Sequence, residues 1–209
     1  MKRFKIFVEG EADKKFFEDY FSHLFGFNAP ESINKTDDKN ETGGKDKLKK
    51  VAKQMEENTD QGGVNLVIFD ADKDAKSRRN ELLEVKTKMG VDFELFLLPN
   101  DSDTGTLEDL LERLINPNNQ PVMDCWQTYE DELKKVRIPT KTPPTLTIPA
   151  KKTKIYAYLE TLHGETKAEK DLVKDRNRNF RNPAHWDLDA EYLTPLKDFL
   201  TTHINNTEV

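Results

Sequence analysis

The segment VNLVIFDADKD at residues 64–74 carries the strongest structural signal in the chain. Its apolar part follows a pair of glycines and predicts a central strand that is buried on both faces. This strand ends in Asp70, and Asp72 follows two residues later. Because a strand buried on both faces occurs in sheets that helices cover on each side, the segment predicts an α/β architecture.

Two further apolar segments flank this strand along the chain, FKIFV at residues 4–8 and DFELFLLP at residues 92–99. Residues 31–36 have the pattern of a weaker strand, and segments with apolar residues at helical spacing separate these elements. The order over residues 1–116 is therefore β-α-(β)-α-β-α-β-α. Such alternation predicts an α/β fold with a mainly parallel sheet flanked by helices.

The character of the chain changes after residue 116. Helical patterns lie at residues 121–137, 153–163 and 189–204. Residues 138–150 form a connector rich in Pro and Thr. We expect an α/β domain at residues 1–116 and a mostly helical C-terminal extension at residues 117–209. The extension should pack on the first domain, because about 90 residues with few apolar positions make a thin core of their own.

Composition and charge exclude several classes of protein. The chain has 209 residues with 33 Lys and Arg against 39 Asp and Glu, and its net charge of −6 argues against a protein that coats DNA by charge alone. The single cysteine, Cys125, excludes an internal disulfide framework and a Cys-rich zinc site. Since no run reaches the roughly 18 apolar residues of a membrane helix, we expect a cytoplasmic protein that does not associate with a membrane.

Acidic side chains follow the predicted strands at the points where the strands end. Glu9 follows the first strand, Asp70 and Asp72 follow the central one, Asp13 lies four residues past Glu9, and Glu108 begins a later helix. Because the carboxyl ends of parallel strands share one edge of a sheet, we expect these acids to meet there. Such a cluster repels itself unless it is protonated or neutralised, and its hard oxygen ligands suit Mg²⁺ or Mn²⁺.

Some of these acids also have a purely structural interpretation. Asp13 is placed where it would cap the first helix, and Glu108 would complement the dipole of a later helix. Asp74 is expected to cap the helix that follows the central strand. Glu9 and Asp70 are harder to explain in this way, because an unpaired charge directly after a buried strand is costly.

Two acidic motifs that follow predicted strands resemble those of a TOPRIM domain. This fold is shared by topoisomerases, primases, OLD-type nucleases and recombination-repair proteins. The two motifs are VEGEAD at residues 8–13 and IFDADKD at residues 68–74. The segment GTLEDLL at residues 105–111 resembles the acidic helix start that follows the last core strand of OLD-type TOPRIM nucleases. The resemblance covers residues 4–115. The whole chain is most similar to small stand-alone TOPRIM-like bacterial proteins whose activity is uncharacterised.

The resemblance implies a Rossmann-like fold and a role for each matching residue. Glu9 would act as a general acid or base, or as a metal ligand. Asp70 and Asp72 would form the metal-chelating pair and, with Glu9, the catalytic set. Asp13 and Glu108 would correspond to the extra acids that let OLD-type nucleases hold a second metal ion. The cofactor implied is Mg²⁺ or Mn²⁺.

The carboxylates and the resemblance together favour metal-dependent phosphoryl transfer on nucleic acid, DNA or RNA, most simply by a nuclease. An alternative is a non-catalytic module that binds a metal and a nucleotide or nucleic acid. This module would work beside a partner ATPase, because nothing in the chain resembles the ATPase part of OLD-type nucleases. A third interpretation is a structural domain whose acids only cap helices.

Several basic residues are candidate contacts to nucleic acid. They are Lys45, Lys49, Lys73, Arg176 and Arg178. Lys45 and Lys49 belong to one basic strip on a helix, whereas Arg176 and Arg178 belong to another near Phe180. A solvated helix face is the simpler interpretation of both strips.

Overall fold

The computed structural model describes residues 3–36 and 44–204, with side chains of the second range described from Leu48 onward. The strands are β1 (Phe4–Val8), β2 (Ile33–Lys35), β3 (Val64–Asp70) and β4 (Glu94–Leu98). The helices are α1 (Glu11–Phe25), α2 (Gly44–Asp60), α3 (Ala75–Met89), α4 (Leu107–Arg113), α5 (Gln120–Lys135), α6 (Lys151–Leu162), α7 (Lys167–Leu172) and α8 (Thr194–Ile204). This order contains the predicted alternation of strands and helices, including the weak strand in residues 31–36.

The four strands form one parallel sheet in the order β2-β1-β3-β4. The chain moves outward from β1 to β2 on one side, and then from β3 to β4 on the other. The strand order therefore reverses between β1 and β3, which pair directly with Val8 opposite Ile68. In open α/β sheets, ligands bind at the carboxyl edge beside such a reversal.

Both faces of the sheet are covered, which explains why the central segment is almost continuously apolar. Leu66 and Ile68 of β3 point into one core, which α1, α4, α6 and α8 complete. Val67 and Phe69 point into a second core under α2 and α3. The predicted α/β fold with a parallel sheet flanked by helices is confirmed.

The helical C-terminal region packs on the same face of the sheet as α1 and α4. Phe199 of α8 lies against Phe96 of β4 with ring centroids 5.2 Å apart, and Phe180 contacts Phe16 of α1 at 5.4 Å. Asp187 N donates to the carbonyl of Leu114 at 2.7 Å. These contacts join the region to the core of the sheet, while a domain boundary at residues 116 and 117 stays a prediction.

The C-terminal helices differ in detail from the sequence expectation. The pattern over residues 189–204 begins with a short 3-10 turn at Glu191–Leu193, and the α-helix starts only at Thr194. The short helix α7 was not predicted, because its exposed residues have no apolar periodicity. In residues 3–36 and 44–204, no helix combines the length and the apolar character needed to cross a bilayer.

Candidate active site

The carboxyl ends of β1 and β3 lie side by side and bring Glu9 next to Asp70. The backbone N–H of Asp70 donates to Glu9 Oε1 at 3.2 Å, across 61 residues of sequence. The parallel pairing of Val8 with Ile68 sets this approach, because each acid follows its strand at the same edge. The reversal of strand order thus places two acids from distant motifs in direct contact.

Asp13 enters the site from the first turn of α1. The N-cap residue of α1 is Gly10. The prediction that Asp13 caps this helix is wrong, because Asp13 lies three residues further along, in the first turn. Asp13 Oδ2 accepts a hydrogen bond from Gly10 N at 3.1 Å, which ties the turn after β1 to the helix. Asp13 is only 8% exposed, and its buried Oδ1 has no hydrogen-bond partner within residues 3–36 and 44–204. A buried oxygen in this state is costly unless a proton or a cation satisfies it.

Glu108 approaches from the start of α4. Backbone hydrogen bonds hold the residues before this helix against the residues that follow β3. Gly105 and Asp72 exchange two backbone hydrogen bonds of 2.8 and 2.9 Å. The left-handed backbone of Gly105 (φ 146°) has no room for a side chain, since a Cβ there would lie 2.9 Å from Asp109 Cγ. Thr106 is the N-cap of α4, and its hydroxyl donates to Glu108 Oε2 at 2.9 Å.

Electrostatic coupling shows that these acids form one group. The pKa of Asp70 is raised to about 9. Burial is the largest cause, and the charges of Asp13, Glu9 and Glu108 add to it. Burial also raises the pKa of Asp13 to about 7, with contributions from Glu9 and Glu108. Asp70 keeps one stabilising contact, from Leu107 N to its Oδ1 at 2.9 Å. The site therefore holds protons on carboxyl groups near neutral pH.

Asp72 lies at the rim of this group. Its side chain is 60% exposed, and its backbone adopts a left-handed conformation (φ 56°). Arg78 Nε lies 3.8 Å from Asp72 Oδ2. The structure thus brings Glu9, Asp13 and Asp70 together with Glu108, whereas Asp72 faces solvent beside them.

Arg78 is a part of this edge that sequence reasoning missed. Its Nη2 donates to Glu9 Oε1 at 3.0 Å, and its Nε donates to the carbonyl of Asp70 at 3.3 Å. Asp74 caps α3 as predicted, accepting from Ser77 N at 3.0 Å, and this cap turns the first turn of the helix back toward β3. The sequence signal that could have identified Arg78 is its position in the first turn of the helix that follows the acidic residues at the end of β3.

Loop acids after β4 have structural partners. Asp101 Oδ1 accepts from Leu97 N at 2.8 Å and from Arg79 Nη2 at 2.5 Å. Asp103 Oδ2 accepts from the Tyr192 hydroxyl at 2.9 Å. These residues stabilise the loop that leads into α4.

The candidate nucleic-acid contacts are scattered. The side chain of Lys45 lies outside the described residues, whereas Lys49, Lys73 and Arg176 are exposed. Arg178 is only 3% exposed, so its expected place on a solvated basic strip is wrong. It packs on the ring of Tyr156 at 4.5 Å, and its Nη2 lies 3.0 Å from Asp175 Oδ1. Its long stem and planar charge serve the packing of the C-terminal region.

The donor chemistry of the edge suits a hard divalent cation, but the side chains do not converge as ligands. Across residues 3–36 and 44–204, no three or more His, Cys, Asp or Glu side chains are arranged to hold a metal ion. Glu9 is engaged by Arg78, and the raised pKa values keep protons on Asp13 and Asp70. The orphaned Oδ1 of Asp13 and the mutual repulsion of the acids are features that a bound cation would relieve.

Comparison with known proteins identifies a family. Residues 3–205 match the family model described as a protein of unknown function (DUF3226). No curated protein and no solved structure matches the chain.

Proposed function

The chain belongs to the DUF3226 family, and from the acidic sheet edge we propose that it catalyses Mg²⁺- or Mn²⁺-dependent hydrolysis of phosphodiester bonds in nucleic acid. The observation that carries this proposal is the proximity of Glu9, Asp13, Asp70 and Glu108 at one sheet edge, where one buried oxygen of Asp13 has no hydrogen-bond partner among the described residues. The pKa values of Asp13 and Asp70 are raised by burial and by neighbouring acids, which is costly to the fold, and such perturbed groups are typical of functional sites. The TOPRIM resemblance of the motifs supports the same chemistry, and a cytoplasmic setting is part of the proposal.

Glu9, Asp13, Asp70 and Glu108 would hold the metal, and Asp72 would contribute from the rim. When bound, the ion neutralises charge on phosphate oxygens and makes water a stronger nucleophile. Asp13 and Asp70 must first lose their protons, so metal binding and deprotonation are coupled at this edge.

Glu9 would accept the proton of the attacking water. Its Oε1 is fixed by Asp70 N at 3.2 Å, so the carboxylate is oriented before substrate binds. As the water oxygen bonds to phosphorus, the bond from phosphorus to the leaving oxygen breaks, and the leaving oxygen keeps the electron pair and takes a proton from solvent. A positioned general base of this kind contributes on the order of 10²–10⁴-fold to rate.

A cleavage assay tests this proposal. The protein is incubated with plasmid, single-stranded DNA and RNA in Mn²⁺ or Mg²⁺, with EDTA as a blank. We expect metal-dependent cleavage that falls at least about 100-fold in Glu9→Gln. Glu11→Gln is the matched control, because Glu11 lies on the same turn but pairs with Lys35 at the surface. No cleavage of any substrate, or equal cleavage by Glu9→Gln, would contradict the proposal.

One observation favours a second candidate, a non-catalytic module that binds metal and a nucleotide or nucleic acid. Glu9 is already engaged by Arg78, and no ligand set is preformed in the described part of the chain. A module of this kind, working with a partner ATPase, would bind Mg²⁺ and nucleotide without turnover. Calorimetric titration followed by analysis of the recovered nucleotide separates the two, because intact nucleotide after tight binding supports the module.

A further inference from the structure

Arg78 lies at the acidic edge beside Glu9. Its side chain is only 10% exposed, and its guanidinium approaches three acids, Glu9, Asp72 and Glu81. Nη2 donates to Glu9 Oε1 at 3.0 Å, and Nη1 donates to Glu81 Oε2 at 3.3 Å. Nε donates to the carbonyl of Asp70 at 3.3 Å and lies 3.8 Å from Asp72 Oδ2. The cation is therefore anchored by a backbone carbonyl as well as by acids.

The contact with Glu9 uses an oxygen that a metal would need. Glu9 Oε1 already accepts from both Asp70 N and Arg78 Nη2. A divalent ion that takes this carboxylate competes with the guanidinium and must also approach its positive charge. Arg78 thus compensates part of the negative charge of the edge in the metal-free protein.

We infer that Arg78 is a positioning residue and an internal counter-ion, which holds Glu9 in an ion pair that a divalent ion must displace. This inference rests on the proposed metal site. The ion pair sets the affinity of the site for metal and keeps Glu9 ordered until metal binds. Once displaced from Glu9, the guanidinium remains anchored by the Asp70 carbonyl and Glu81 and is available to a phosphate of the substrate.

The chain offers a matched control in the neighbouring residue. Arg79 carries the same charge on the same helix, but its Nη2 pairs with Asp101 Oδ1 at 2.5 Å, outside the acidic group. Substituting Arg79 therefore removes one positive charge close to the site without releasing Glu9. Any effect specific to Arg78 arises from its contacts with the acids.

The test is Mg²⁺ titration by isothermal calorimetry on wild type, Arg78→Gln, Arg78→Lys and Arg79→Gln. We expect Arg78→Gln to bind Mg²⁺ about tenfold more tightly than wild type, because the competing charge is removed. Arg79→Gln should stay within about twofold of wild type. The Mg²⁺ affinity of Arg78→Lys should lie between those of Arg78→Gln and wild type. The lysine ammonium keeps the positive charge but lacks the planar set of N–H donors of a guanidinium. A residue that only supports the fold would instead weaken Mg²⁺ binding when it is replaced.

Thermal denaturation in EDTA gives a second measurement that needs no metal. A double-mutant cycle of Arg78→Gln and Glu9→Gln should show coupling, because Glu9→Gln removes the carboxylate that Arg78 compensates. If Arg78→Gln does not fold, both measurements are made on Arg78→Lys. Equal or weaker Mg²⁺ binding by the Arg78 variants, or additive effects in the cycle, would overturn the inference.

The outcomes separate this inference from the proposed function. If wild type cleaves nucleic acid but the Arg78 variants bind Mg²⁺ no more tightly, the inference fails and the proposed function stands. If wild type neither binds Mg²⁺ nor cleaves, but Arg78→Gln gains Mg²⁺ binding, the inference stands and the proposed activity fails. If no variant binds Mg²⁺, both fail.

Discussion

The two ends of β3 bury polar residues in opposite ways. At the amino end, Asn65 Nδ2 donates to the carbonyls of Met55 and Asp92, and its Oδ1 accepts from Asn58 Nδ2 at 2.9 Å. At the carboxyl end, Asp70 lies among acids that raise its pKa, and the described part of the chain offers no hydrogen-bond partner to a buried oxygen of nearby Asp13. A neutral, fully bonded side chain stabilises the sheet, whereas a group of coupled acids needs a proton or a cation.

The largest expected effect is on activity at the acidic end. Asp70→Asn keeps the acceptor for Leu107 N but removes a metal ligand, so metal-dependent cleavage should fall at least about 100-fold while the fold persists. Rates of cleavage and far-UV circular dichroism measure the two quantities. Cleavage within a fewfold of wild type would show that Asp70 is a structural acid like the loop residues.

The opposite effect is expected at the amino end. Asn65→Ala leaves the Met55 and Asp92 carbonyls and the Asn58 amide without their buried partner, which should lower the free energy of unfolding by about 2–4 kcal/mol. Thermal denaturation should show a Tm lower by about 5–15 °C. The Mg²⁺ response of the folded protein should be retained. If Asn65→Ala lost Mg²⁺ binding and kept its stability, the assignment of a structural role to the amino end and a metal-binding role to the carboxyl end would be contradicted.

The metal-free protein should become less stable as pH rises. The carboxyl groups of Asp13 and Asp70 have pKa values of about 7 and about 9 in the folded state, against 3.8 for an ordinary aspartate. The folded state therefore holds protons that the unfolded chain has lost, and stability falls from about pH 4 until both groups are ionised near pH 9. Thermal denaturation in EDTA at pH 5, 7 and 9 measures this trend.

Asp70→Asn provides the matched variant for this pH dependence. Because asparagine does not titrate, its stability should fall less between pH 7 and pH 9 than that of wild type. The stabilisation by Mg²⁺ in wild type should grow over the same range, since protons compete with the metal. A wild-type curve that is flat or rises with pH would contradict the raised pKa values.

A smaller effect is expected at the rim. Asp72 is exposed and lies 3.8 Å from Arg78, so Asp72→Asn should reduce cleavage by about tenfold or less, well below the loss in Asp70→Asn. Parallel rate measurements on the two variants decide this order. Equal losses would place Asp72 within the metal-binding group.

The smallest effect is expected for the exposed lysine next to the rim. Lys73→Ala should change nucleic-acid affinity only slightly, lowering the slope of log affinity against log salt by about one if Lys73 contacts one phosphate. Fluorescence anisotropy at several salt concentrations measures the slope. An unchanged slope would assign Lys73 to the solvated surface.

The sequence predicted the sheet because its signals are local. The run VNLVIF required two covered faces, and Asp74 and Thr106 are helix caps recognisable from neighbouring residues. The approach of Glu9 to Asp70 followed from the rule that parallel strands share a carboxyl edge. These features need no knowledge of how side chains pack at long range.

Other features depend on tertiary contacts that sequence spacing does not encode. The ion pair of Arg78 with Glu9 joins residues 69 positions apart, and its side chain resembled any exposed helical arginine. The sequence places Arg178 in a basic strip, yet packing against Tyr156 buries it. The exposure of Asp72 depends on its left-handed backbone and its bridge to Gly105, which an Asp-x-Asp motif does not specify.

Diffraction from a crystal soaked in Mn²⁺ tests the central claim most directly. We expect an anomalous density peak within ligand distance of Glu9 and Asp70, with Asp13 or Glu108 also in contact and the Arg78–Glu9 ion pair opened. An edge without an anomalous peak, in which Glu9 still binds Arg78 and Asp70 still accepts from Leu107 N, would contradict the account.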